Sequence, residues 1–149
     1  MKKIFILIFT FSINLIYSKE IQVNLLELYK ELHANPELSY QEYETSKKLA
    51  SLLESIGYQV TRNVGGNGVV ALLENGDGNT VMFRADMDGL PVEEKTGASY
   101  ASKNRVKNLE GEEVFTMHAC GHDVHMTVLI GVAEYLYKNK DTWQGKLLL

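Results

Sequence analysis

An α/β fold is what this sequence predicts, on three observations. Helix-period apolar patterns alternate with short apolar runs of strand length, which points to a sheet with helices packed over both faces. The 149 residues suffice for one domain of ordinary size. The composition is globular, at 45% hydrophobic and 23% charged with two prolines and no low-complexity tract or internal repeat.

The first eighteen residues are set apart as a signal peptide. Lys2 and Lys3 form a positive start, Ile4 to Tyr17 an apolar stretch broken by Thr10, Ser12 and Asn14, and Ser18 a small residue suited to cleavage. The apolar stretch is shorter than the roughly 20 residues of a spanning helix, so no stable membrane anchor is expected. The expected destination is export, periplasmic or secreted. Loss of Lys2 and Lys3 would take the net charge from −4 to −6. An acidic chain whose one basic run, Lys103 to Lys107, leads into Glu110, Glu112 and Glu113 is a poor nucleic-acid binder. That run reads as a solvated loop.

Residues 19–149 then read in order. Leu25, Leu26, Leu28, Tyr29 and Leu32 mark a helix that Asn35-Pro36 ends. Ser39 to Glu42 has capping-box spacing and opens a second helix. Thr45, Leu49, Leu52, Leu53 and Ile56 line its inner face, and Gly57 suits its C-cap. Tyr58 to Val64 is a strand, followed by the turn Gly65 to Gly68. Val69 to Leu73 and Thr80 to Ala85 are strands whose connection, Asn75-Gly76-Asp77-Gly78, predicts a tight hairpin. Gly89 to Thr116 reads mostly as loop. A third helix, with Leu129, Val132, Ala133 and Leu136 inward, starts after Asp123 and fades at Lys138 to Lys140. Gly145 to Leu149 opens a buried strand.

The chemistry concentrates in Met117 to His125, Met-His-Ala-Cys-Gly-His-Asp-Val-His, with the only cysteine and three of the four histidines. A single Cys excludes an internal disulfide framework. Cys120 and His122, two apart in a segment expected to be non-helical, can converge on one ion because Gly121 lets the chain bend. Thiolate and imidazole both suit Zn²⁺ and its first-row neighbours. Asp123 can orient a ligand imidazole or cap the helix. By spacing alone a Cys-x-His pair is a weak motif, and His118 and His125 read more readily as structural histidines. A second polar cluster, Arg84 to Pro91, stands where an apolar strand ends, the place where α/β sheets collect ligands.

These segments resemble the metal-dependent N-acyl-amino-acid amidohydrolases, the hippurate hydrolase, aminoacylase and carboxypeptidase-like metallopeptidase superfamily. The matching blocks are His33-Ala34-Asn35-Pro36-Glu37-Leu38-Ser39, Glu42 with Thr45, Arg84-Ala85-Asp86-Met87-Asp88-Gly89-Leu90-Pro91, and the Met117 to His125 nonapeptide. The resemblance implies that residues 19–149 are the N-terminal part of a mixed, mainly parallel-sheet catalytic domain, incomplete here, with a dimerisation and lid domain elsewhere. It implies a centre of two divalent ions (Zn, Mn, Co or Ni), with Cys120 and His122 as metal ligands and Asp86 as an orienting carboxylate. It assigns no ligand role to His118, Asp123 or His125, and gives His33 and Glu37 a local structural role. It implies a small N-acyl amino acid or peptide substrate and a homodimer for the full-length relative.

The family's general-base glutamate and a neighbouring ligand lie in a Gln-Pro-Ala-Glu-Glu block that these 149 residues lack. The expectation is therefore amide hydrolysis by family but inactivity for this polypeptide alone. Two other classes stay open on the residues. One is a non-catalytic exported module that binds metal or peptide. The other is a thiol enzyme using Cys120 with a nearby histidine.

Overall fold

The computed structural model describes residues 22–149, so the expected signal peptide lies outside the described residues. The elements follow the order α1 (Leu25–Ala34), α2 (Tyr43–Ile56), β1 (Gln59–Val64), β2 (Gly68–Asn75), β3 (Thr80–Met82), β4 (Arg105–Lys107), β5 (Glu113–Phe115), α3 (His122–Lys138), a 3-10 turn (Lys140–Thr142) and β6 (Gly145–Leu148). No helix among the described residues is long and apolar enough to cross a membrane.

All three helices pack on one core. Leu28 and Leu32 of α1, Leu49, Leu53 and Ile56 of α2, and Met126, Ile130 and Ala133 of α3 meet Ala71, Leu73 and Leu147. These last three share one face of the sheet, because Leu73 pairs with Leu147 and side chains alternate along a strand. The opposite face carries Leu72 and Leu148, half-buried, and Met82, exposed. The helices therefore meet the described sheet on a single face, not on both as alternation suggested.

The strand order is β1-β2-β6-β3. β1 with β2 and β2 with β6 are antiparallel, and only β3 with β6 is parallel. The described sheet is thus mixed, without being mainly parallel. The expected hairpin between β2 and β3 does not form, because β6 inserts between them. Asn75, the residue that suggested the turn, instead donates from Nδ2 to the carbonyls of Lys140 and Trp143 and anchors the approach to β6. Gly78 and Gly145 let the two connections touch: a Cβ on Gly145 would lie 2.5 Å from the Asn79 carbonyl oxygen.

The capping box also fails. Glu42 is the N-cap of α2 but makes no side-chain capping bond. Glu37 performs that task from outside the helix, accepting the N–H groups of Glu44 at 3.1 Å and Thr45 at 2.7 Å. The basic run is not simply loop, since Arg105–Lys107 pairs antiparallel with Glu113–Phe115. Arg105 there lies over the Phe115 ring at 4.0 Å.

Candidate metal centre

His33-to-Ser39, Arg84-to-Pro91 and Met117-to-His125 are distant in sequence and meet in space. Leu38 bridges Gly89 and Leu90 bridges Met117, which aligns the three segments side by side. The Gly89 N–H donates to the Glu37 carbonyl at 2.6 Å. A Cβ on Gly89 would come within 2.8 Å of Pro36, so this approach requires glycine.

His122 is the first residue of α3, not part of a non-helical loop, and Gly121 before it sits at φ 77. The turn bends at Gly121 as expected, and Cys120 is exposed on it. His122 Nδ1 donates to the Asp88 carbonyl oxygen at 2.9 Å, with Asp88 Oδ1 3.0 Å away. These acceptors fix the proton on Nδ1 and leave the Nε2 lone pair available. Ser39 Oγ in turn donates to Asp88 Oδ2 at 3.2 Å. The carboxylate at His122 is therefore Asp88. Asp86, expected there, is paired with Arg84 in a largely exposed ion pair. The two acids lie two residues apart and both line one cavity, yet only Asp88 reaches His122, a distinction that a list of carboxylates does not reveal.

Asp123 does not touch His122. It is buried, with Oδ1 accepting the Val124 N–H at 2.9 Å and Oδ2 facing His33 Nδ1 at 2.6 Å. His33 Nε2 donates to Glu94 at 3.0 Å, and the Glu94 side chain is fully buried. Glu94 also accepts the Ser102 N–H at 2.5 Å and the Thr96 hydroxyl. Burial pushes the His33 imidazole down, but its bonds to Glu94 and Asp123 outweigh this and raise it above the usual histidine range. For Glu94 burial works upward, and the bonds from Thr96, His33 and the Ser102 N–H prevail and lower it. The residue pattern held no cue to Glu94, because only the fold brings it to His33.

His118 is buried, and neither of its ring nitrogens reaches a partner at hydrogen-bonding geometry. Burial holds it below the usual histidine range against the opposing pull of Asp123 and the Asp88 backbone. His125 is exposed, its ring centroid 6.0 Å from that of His122. Among the described residues, no group of three His, Cys, Asp or Glu side chains is placed to hold an ion. What the segment offers is one thiol and one oriented imidazole nitrogen, a donor set that fits Zn²⁺ and its first-row neighbours. A cavity of about 740 Å³ opens beside it at the carboxyl ends of β3 and β6, lined by Glu42, Asn67, Arg84, Asp86, Asp88 and Leu149 among others.

Comparison with known proteins places these features in a family context. Residues 82–149 match the model of peptidase family M20/M25/M40. Thermostable carboxypeptidase 2 of Saccharolobus solfataricus is 44% identical over 133 residues, covering 88% of this chain and 32% of that protein. Hippurate hydrolase of Campylobacter jejuni is 40% identical over 118 residues, covering 78% of this chain and 28% of that protein. Among solved structures, the YXEP protein of Bacillus subtilis, a dinuclear metal-binding peptidase from the M20 family, superposes with a TM-score of 0.72 at 36% identity. The match covers 83% of this chain and 33% of that one. The chain thus spans about a third of the length of the relatives it matches.

Proposed function

We propose, for a chain related in sequence and fold to peptidase family M20/M25/M40, that it supplies the metal-binding start of an exported hydrolase. That hydrolase would cleave the amide bond of N-acyl amino acids or related peptides. The observation that carries this reading is the orientation of His122. Its Nδ1–H is held by Asp88, its Nε2 is free to ligate, and an exposed thiol stands two residues before it. Carboxylate–imidazole pairs of this kind set the tautomer and raise the basicity of a metal-ligating histidine.

Cys120 and His122 are the ligands in this reading, and Asp88 takes the orienting role first expected of Asp86. A bound divalent ion, Zn, Mn, Co or Ni, supplies Lewis-acid polarisation of the scissile carbonyl and lowers the pKa of water toward about 7. The residues of this chain hold and orient. Asp88 keeps the His122 proton on Nδ1, and Ser39 keeps Asp88 in place. No general base is assigned to the chain. Two donors without a third among the described residues support weak binding of one ion and no hydrolysis by these 149 residues alone.

The test has two arms. Metal-free chain is titrated with Co²⁺, and the thiolate-to-metal charge-transfer band is followed. Wild type should show the band, and Cys120→Ser and His122→Ala should each lose it. A longer protein bearing this chain should hydrolyse acyl-glycines, stop with chelator and recover with added metal. Hydrolysis that survives chelation but is abolished by alkylating Cys120 in metal-free buffer would replace the metal reading with a thiol mechanism.

A further inference from the structure

We propose that His33 is a positioning residue for the Cys120–His122 pair. By bridging Asp123 and Glu94, it locks the first turn of α3 to the 94–102 loop and so keeps His122 seated on Asp88. The inference rests on the ligand reading above and extends it to a residue 89 positions away from His122 in sequence.

The geometry carries the argument. His122 and Asp123 are the first two residues of α3, and neighbours on a helix point about 100° apart. Asp88 holds His122 on one side, and His33 holds Asp123 on another at 2.6 Å. Two holds in different directions fix the rotation of the helix start as well as its position. The far end of the bridge is equally constrained. The Glu94 side chain is fully buried and takes the Ser102 N–H at 2.5 Å, so it cannot follow a drifting imidazole. Tyr29 and Tyr100 flank the His33 ring, with centroids 5.6 and 5.2 Å away, and leave it no alternative seat. An apolar residue would fill this space without stranding a charge. A buried histidine between two carboxylates contributes direction, which packing alone does not.

The experiment reads the His122 tautomer in metal-free, isotope-labelled chain by long-range proton–nitrogen NMR, then Co²⁺ affinity by the charge-transfer band. Wild type should carry its His122 proton on Nδ1. In folded His33→Ala the proton should redistribute toward Nε2, and Co²⁺ affinity should fall roughly ten- to hundredfold, the usual effect of losing a residue behind a ligand. If His33→Ala fails to fold, the triple variant H33M/E94Q/D123N removes the bridge without stranding a charge, and the same readouts apply. A folded variant with the proton still on Nδ1 and affinity within about twofold of wild type overturns the proposal. Failure of the wild-type chain to bind Co²⁺ counts against the ligand reading alone, and the tautomer then decides the role of His33.

Discussion

Asp88 meets His122 twice: its carbonyl oxygen lies 2.9 Å and its Oδ1 3.0 Å from the same ring nitrogen. One residue thereby uses backbone and side chain together to set a single proton. Asp88→Ala keeps the backbone contact and loses the carboxylate. It should lower Co²⁺ affinity roughly tenfold or more, whereas Asp86→Ala should stay within about twofold, because Asp86 pairs with Arg84 at the surface. Parallel titrations of the two variants check this, and equal losses would restore Asp86 to the site.

The His33–Glu94 pair makes stability depend on pH from both sides. The His33 pKa is raised, so its contribution is complete below the ordinary value of 6.5 and fades as pH rises through the higher folded value. The Glu94 pKa is lowered, so its contribution is complete above 4.5 and fades as pH falls through the lower folded value. Wild type should therefore exceed H33M/E94Q/D123N, which strands no charge on Asp123, in thermal midpoint most clearly between pH 4.5 and 6.5. A midpoint difference that stays flat from pH 4 to 9 would contradict the assignment.

Glu37 caps α2 from the preceding loop through the N–H groups of Glu44 and Thr45. Glu37→Ala should cost about 1 kcal/mol, within the range for losing an N-terminal cap. Urea unfolding of the two proteins gives the difference, and Glu37→Gln should recover part of it. No change on Glu37→Ala would mean that water serves the helix start equally well.

Gly145 enters β6 at φ 118, with the Asn79 carbonyl 2.5 Å from where a Cβ would sit. Gly145→Ala should destabilise by about 1–3 kcal/mol or more, from backbone strain and the clash together. Gly65→Ala, at φ 63 with nothing within 4 Å, bears only the conformational cost and should lose about 1 kcal/mol. Thermal unfolding ranks them, and equal losses would show that β6 shifts to accommodate the methyl.

The helices were the most legible part. Asn35 ends α1, Gly57 closes α2 in the left-handed region, and Leu49, Leu53 and Ile56 face the core, because helical period and caps are local properties. The short strands β4 and β5 were not legible, since three exposed or half-buried residues each leave no alternating signature. The Asn-Gly and Asp-Gly steps misled for a related reason. They describe what a turn permits, and β6 competed for the edge that a hairpin would have used.

By itself the sequence determined the α/β class, the three helices and which residue types with metal-donor chemistry are clustered, because residue type and periodicity act within a few positions. Only the tertiary structure decided that Asp88 and not Asp86 faces His122, and that Asp123 turns to His33. It also decided that β6 divides β2 from β3. Those choices depend on which segments share a buried surface, where each carboxylate and each strand edge must find a partner across long stretches of chain.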